Sequence, residues 1–374
     1  MIRRLVALTA LAVLGAAIYV AIRAHRDLTD FEVYRTAAAR AVAAEPLYRA
    51  DDGHYQFKYL PAFAVVTMPL AWMSEETSKT VWFAVSFALV VVFVQTLVTG
   101  LPQTRMHRSV LAGWTVVVLA KFFVRELSLG QTNALLGVLL LPSIVGASRH
   151  PRLAGALAGA AVFVKPYAIV LLPWLMLTQA PSATVAWVGA LAIGLVLPVA
   201  VYGWTTNLHL LRDWYRTVAD TTAPNLLHPD NVSLASMFAK WIGAGTAASV
   251  LAVVTGLALV ALAAWVALRR TRVSNPAYLE CGLLMLLIPL LSPQGWDYVL
   301  LLAAPVVIMA IDRWSAMSLP LQIAAVAVGV VFATPLRLFV DVDTYNLVMA
   351  TAFVSVAAVM LVIVAVDLRR RMLA

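Results

Sequence analysis

An ammonium group interrupts an apolar run at Lys165, in Val162-Phe163-Val164-Lys165-Pro166-Tyr167-Ala168-Ile169-Val170. A charge among about 25 apolar residues costs several kcal/mol unless it is paired, so it marks a functional site, here an anion site, by default. The alternative is a lysine at a helix end, reaching its ammonium to the headgroups. Pro166 breaks the helix at that point and frees backbone groups that lipid cannot satisfy. The flanking runs, Leu153 to Val164 and Tyr167 to Thr178, are each about 18 Å long as helices, short for a ~30 Å hydrocarbon core.

A candidate acid lies near the start, in Arg26-Asp27-Leu28-Thr29-Asp30-Phe31-Glu32-Val33-Tyr34. Phe31, Tyr34, Ala38, Ala41 and Val42 recur at helical spacing, which predicts an amphipathic helix lying in the membrane interface. Thr29 and Glu32 have capping-box spacing, so the helix is expected to begin near Asp30. Asp30 then either complements the positive end of the helix or serves as a general base on a hydroxyl nucleophile. Asp27 competes for that role, whereas Asp51 and Asp52 beside Gly53 read as an exposed turn.

Lys121 and Arg125, four apart, share a helix face and are suited to a phosphate. Equally, Arg125 can pair with Glu126 while Lys121 reaches to the headgroups. Gln131 and Asn133 offer neutral hydrogen bonds of the kind sugar hydroxyls need, or Thr132 or Asn133 caps the next helix. The stretch from Trp204 to Ser233 mixes aromatics with polar groups, as do carbohydrate surfaces and membrane interfaces alike. Within it His228, Asp230 and Asn231 lie together before a fresh apolar run, and Asn231-Val232-Ser233 fits a glycosylation sequon. Ser292-Pro293-Gln294-Gly295-Trp296-Asp297 is a polar break in which Asp297 either orients a ligand or caps a helix. No phosphate-cradling glycine loop, zinc-protease pattern or nucleophile elbow is present.

These segments hang on an apolar frame. Of 374 residues, 63% are hydrophobic and 12% charged, and mean hydropathy is +0.90, which excludes a soluble domain with a single anchor. Expected crossings number about twelve: Leu5–Ile22, Thr80–Gly100, Ser109–Val124, Thr132–Ala147, the broken pair around Lys165, Ala183–Tyr202, Gly245–Leu268, Tyr278–Leu291, Tyr298–Ile311, Pro320–Val340 and Asn346–Val366. Leu60–Met73, with two prolines, either dips and returns or forms a short helix. The net charge of +9 collects in Arg3-Arg4, Arg105 to Arg108, Arg149 to Arg152, Arg269 to Arg272 and Arg369 to Arg371, a topological signature rather than a nucleic-acid surface. With those clusters and both termini cytoplasmic, residues 23–60 and 203–244 become two non-cytoplasmic loops of a single integral membrane domain. Asp30, Arg125, Gln131, Lys165, Asn231 and Asp297 then share the outer side. Cys281, alone in an apolar run, excludes an internal disulfide and a cysteine metal cluster.

Taken in order, the motifs resemble glycosyltransferase family 87, bacterial GT-C membrane enzymes of the polyprenol-phosphate-mannose-dependent type. The matching pieces are Asp30-Phe31 with Tyr34 and Ala37-Ala38, Tyr59-Leu60-Pro61, Gly130-Gln131-Thr132-Asn133, Ala154-Gly155 leading to Lys165-Pro166, Asn231-Val232-Ser233, and Ser292-Pro293 with Trp296. Leu60 stands where the family often has a second proline, and Gln294 to Asp297 lack the histidines often found there. The resemblance implies an all-α transmembrane bundle in the bacterial inner membrane. It also implies a polyprenyl-phosphate-hexose donor, mannose above all, and a lipid or glycan acceptor. Transfer would occur on the non-cytoplasmic face with inversion. In that reading Asp30 is the base, Lys165, Lys121 and Arg125 meet the donor phosphate, and Tyr34, Tyr59, Gln131, Asn133, His228, Asn231 and Trp296 contact sugar or acceptor. The chemistry requires no cofactor, a divalent ion being optional. A transporter or lipid flippase with an anion site at the Lys165-Pro166 break is the alternative, since half-helix ends bind substrates there too.

Overall fold

The computed structural model describes residues 28–273 and 276–370. The expected first crossing Leu5–Ile22 and the competing acid Asp27 lie outside them. Among the described residues the elements are all helical, and an isolated β-type bridge pairs Asn231 with Trp296.

In chain order, α1 (Thr29–Val42) is followed by the short α2 (Pro61–Val66) and α3 (Met68–Ala71), then the long α4 (Glu75–Gly100). At six and four residues, α2 and α3 are too short to cross a bilayer, so Leu60–Met73 forms short helices. The run expected as one crossing, Ser109–Val124, divides at Leu119 into α5 (Arg108–Val118) and α6 (Ala120–Leu129). After a turn come α7 (Asn133–Val145) and α8 (Pro151–Val164). Beyond Lys165 a 3-10 turn (Pro166–Val170) leads into α9 (Leu171–Thr178), then α10 (Pro181–Val196) and α11 (Val199–Asn225). The rest comprises α12 (Leu234–Ile242), α13 (Thr246–Leu268), α14 (Pro276–Leu291), α15 (Ala304–Asp312), α16 (Leu319–Ala333), α17 (Val342–Ala350) and α18 (Phe353–Arg370).

Two single helices, α4 with 26 residues and α13 with 23, are long and apolar enough to span a membrane. Three bent pairs reach that length together: α6 with α7 (119°), α10 with α11 (91°) and α17 with α18 (43°). The described residues therefore carry between two and five candidate spans, whereas all but Leu5–Ile22 of the roughly twelve expected crossings fall on them. Most of the rest are apolar helices of 10 to 17 residues, among them α5, α8, α14 and α16, which are short for a straight crossing.

The segment from Trp204 to Asn225, expected as a loop, is helical in α11, kinked at Gly203. Its apolar and polar residues face protein at Leu210 and Asn207, while Trp204, Leu208 and Tyr215 are exposed.

Contacts divide the chain into two units. One holds Val92–Val124 and the described residues from Pro224 onward; the other holds the described residues up to Val91, with Arg125–Ala223. In the first, α14 is buried along nearly its whole length, and the Tyr278 hydroxyl donates to Leu97 O at 2.8 Å. In the second, α8 packs closely on α10. A methyl at Gly155 would come 1.9 Å from Ala183 O, and one at Gly159 would come 2.8 Å from Trp187 O. Two glycines four apart thus let the backbones touch, which is how helices without a hydrophobic driving force associate in lipid.

Candidate active site

α1 starts at Thr29, with Leu28 as its cap and no side-chain cap bond. The capping box does not form. Glu32 N–H bonds Leu28 O at 3.1 Å, and the Glu32 carboxylate turns to Lys79 Nζ at 2.6 Å, a better partner than a backbone amide. The apolar stripe is as expected at Phe31, Tyr34, Ala38 and Ala41, joined by Ala37, whereas Val42 is exposed. That stripe meets protein: Phe57, Phe63, Leu70, Tyr202 and Leu210 form one cluster with it.

The first turn of α1 lies directly on the α6–α7 turn. Gly130 there has φ +71°, and a Cβ on it would stand 2.9 Å from Phe31 Cβ. Trp82 Nε1 donates to Gly130 O at 2.8 Å. Both the backbone conformation and the close approach demand glycine. The next residue, Gln131, donates its amide N–H to Asp30 Oδ2. Glu126 holds the far side of the turn: its carboxylate accepts from Asn133 Nδ2 at 2.7 Å and from Ala134 N–H at 2.6 Å. Glu126 is fully buried, and it caps the start of α7, the role the sequence offered to Thr132 or Asn133.

Lys165 follows α8 with extended backbone (φ −143°, ψ 113°), so the helix ends where the proline predicts. Its charge acts on both Asp30 and Glu126, and its Nζ lies 5.9 Å from the Tyr59 ring centre. The Tyr59 hydroxyl bonds that of Tyr34 at 2.8 Å and Thr132 Oγ1 at 3.3 Å. Asp30, Tyr34, Tyr59, Arg125, Gln131, Asn133 and Lys165 thus belong to one unit, with Asp30 under the influence of Gln131, Lys165 and Arg125. Burial raises the Asp30 carboxyl above the ordinary carboxylate range, chiefly by penalising the charged form. The Gln131 hydrogen bond and then the charges of Lys165, Arg125 and His54 pull it back. Gln131 Oε1 and Asn133 Oδ1 are buried acceptors with no hydrogen-bond partner.

The other expected site residues lie in the first unit, with Val92–Val124 and the described residues from Pro224 onward. Lys121 approaches Asp297 at 4.0 Å. His228 packs edge-on to Trp296, with ring centres 4.8 Å apart. Asn231 is fully buried and engaged: Nδ2 donates to Asn225 O (3.0 Å) and Pro293 O (2.9 Å), and Oδ1 accepts from Ser233 N–H (3.1 Å). Its side chain locks two loops together, and burial closes the sequon to glycosylation. Asp230 accepts from Arg337 Nη2 at 2.7 Å and from the Tyr345 hydroxyl, while its carbonyl accepts from Asp297 N–H at 2.8 Å.

Trp82, Arg337 and Tyr345 escaped sequence reasoning, which weighed Glu126 only as a partner of Arg125 and Thr132 only as a cap. The missed signal at Glu126 was an acid beside an apolar stretch. Among the described residues, no three or more His, Cys, Asp or Glu side chains are arranged to hold a metal ion.

Comparison with curated proteins and with solved structures returns no match. The sequence profile of glycosyltransferase family 87 matches residues 57–293, well over half of the chain, starting after Asp30. Apolar helices and that match together make this an integral membrane glycosyltransferase, and the chain belongs to glycosyltransferase family 87.

Proposed function

We propose that the enzyme transfers a hexose, mannose in the first instance, from a polyprenyl-phosphate donor to a hydroxyl of a lipid or glycan acceptor, on the non-cytoplasmic face. The observation that carries this reading is the Asp30 carboxylate, oriented by Gln131 and electrostatically coupled to Lys165 at a helix break. Asp30 takes the acceptor hydroxyl proton as that oxygen attacks the anomeric carbon from one side. The bond from that carbon to the phosphate oxygen breaks on the other, with inversion. The electron pair leaves on the polyprenyl phosphate, whose charge Lys165 meets, with Arg125 near enough to act on the same group. Preorganised charge of this kind is often the largest catalytic contribution. Gln131 Oε1 and Asn133 Oδ1 accept sugar hydroxyls, and Tyr34 and Tyr59 flank them. Lys121, His228 and Trp296 are assigned to donor phosphate and acceptor contacts. Asn231, its polar atoms already engaged, acts by shaping its loop.

The expected topology is supported within each unit. Segments read as outer meet one another: Trp214 Nε1 donates to Lys58 O, and Tyr345, in the outer stretch 341–345, meets Asp230. Segments read as cytoplasmic do the same: Arg369 Nη2 donates to Arg269 O, and Asp312 accepts from the N–H groups of Arg105 and Met106.

The test is transfer by purified protein in vesicles supplied with radiolabelled polyprenyl-phosphate-mannose and a membrane lipid extract. Asp30→Asn should lower kcat by about 10²–10⁴, and Lys165→Met by about 10²–10³, both at unchanged expression and folding. Turnover at the wild-type rate in Asp30→Asn removes that residue from the base role.

A further inference from the structure

An apolar groove of about 490 Å³ opens in the unit that contains α5, α15, α16 and α18, four helices packed on one another. Met106, Trp114, Val118, Trp314, Gly329 and Leu361 are among its lining residues, and among the described residues that line it none carries a charge. Two features show that it is built rather than incidental. Asp312, 3% exposed, accepts from the N–H groups of Arg105 (2.7 Å) and Met106 (3.0 Å) with one carboxylate oxygen, which fastens the wall residue Met106 to the end of α15. At Gly329 a Cβ would meet nothing within 4 Å, so the groove is open where α16 faces it.

The rim is cationic. Arg105 and Arg108, both exposed, flank Met106, and Arg313 precedes Trp314. Across residues 103–108 and 311–318 the sole acid is Asp312, already engaged by two backbone amides and by Arg313 Nε at 3.4 Å. Trp114 and Trp314 are 44% and 40% exposed, as indoles at the boundary between hydrocarbon and headgroups tend to be. A volume of this size suits one hydrocarbon chain, and arginines at the mouth favour a negative headgroup.

We infer that this groove holds one acyl chain of an anionic phospholipid, with its headgroup against Arg105 and Arg108. The choice of phospholipid over the sugar donor rests on the orientation proposed above. That orientation puts these arginines in a cytoplasmic cluster, across the membrane from where the donor is proposed to react. The site is structural, and the acid-base chemistry at Asp30 does not depend on it.

Native mass spectrometry of the full chain in detergent tests it, with phosphatidylglycerol, phosphatidylcholine of the same chains, and polyprenyl phosphate as probes. Wild type should retain one phosphatidylglycerol with a preference of about tenfold or more over phosphatidylcholine. Gly329→Phe should abolish that retention by filling the groove, and the pair Arg105→Ala with Arg108→Ala should bring the preference close to one. The double variant changes exposed side chains alone, so it keeps the test sharp if the filled groove disturbs folding. Equal retention of the two phospholipids by wild type overturns the inference, as does undiminished phosphatidylglycerol in Gly329→Phe. So does polyprenyl phosphate that displaces phosphatidylglycerol, which would make the groove a donor-tail site. Loss of sugar transfer in the Asp30 variant, or its persistence, leaves every one of these readouts unchanged, so the two proposals fail separately.

Discussion

At Asp30, two opposing forces set the working pH. Burial raises its carboxyl, whereas the Gln131 amide and the charge of Lys165 favour the ionised form. A base works only when deprotonated, so activity should fall as pH drops through this raised value. Gln131→Leu removes one group that lowers it. The acid limb of the kcat/KM profile should therefore move to higher pH, and a limb that stays put or moves lower would show that Gln131 does not tune the acid. Lys165 was legible in the sequence because Pro166 follows it, and the helix ends at the residue expected. The Asp30–Gln131 bond was not, since the partners stand 101 residues apart and no local pattern announces such a pairing. Asn231 shows the opposite failure: its residue type suits a sugar, but two carbonyls and an amide already use its polar atoms.

Helices carry the next set of consequences. Gly155→Leu should lower stability by about 1–3 kcal/mol or more, because the added atoms collide with the Ala183 carbonyl rather than with a pliable side chain. Gly189→Ala, where a Cβ meets nothing within 4 Å, should unfold at or slightly above the wild-type temperature and serves as the control. Equal thermal unfolding of the two variants would refute close packing of α8 on α10. At the α6–α7 turn, Glu126→Ala strands the Ala134 N–H and the Asn133 amide, a loss of about 0.5–2 kcal/mol for the cap. Glu126→Gln, which keeps an acceptor, should recover part of the lost thermal stability. Element boundaries were readable where proline or glycine marks them, as at Lys165-Pro166 and Gly130. The break at Leu119 has no such residue nearby, and α11 hid its period under mixed aromatic and charged side chains.

For the molecule as a whole, composition gave the class and the ordered motifs gave the family, because apolar content and motif order are read directly along the chain. The number of crossings was not readable in the same way. Hydropathy measures how apolar a run is, while a bend of 119° or 91° inside it depends on which neighbours hold the turn. The C-terminal part contributes where no motif foretold it. Arg337→Ala should weaken the unit modestly, since that guanidinium is 57% exposed and screened by solvent. Tyr345→Phe, which leaves the buried Asp230 oxygen short of a donor, should cost about 1–3 kcal/mol in thermal or denaturant unfolding. An unfolding midpoint identical to wild type in Tyr345→Phe would refute that role.

Asp230 also sets a lower limit on how far this enzyme can be trimmed. Two side chains that answer its charge arrive 107 and 115 residues later, beyond position 293 where the family likeness stops. A fragment ending there would lose both the Arg337 guanidinium and the Tyr345 phenol from Asp230. A trimmed enzyme that keeps those two contacts therefore has to extend past Tyr345.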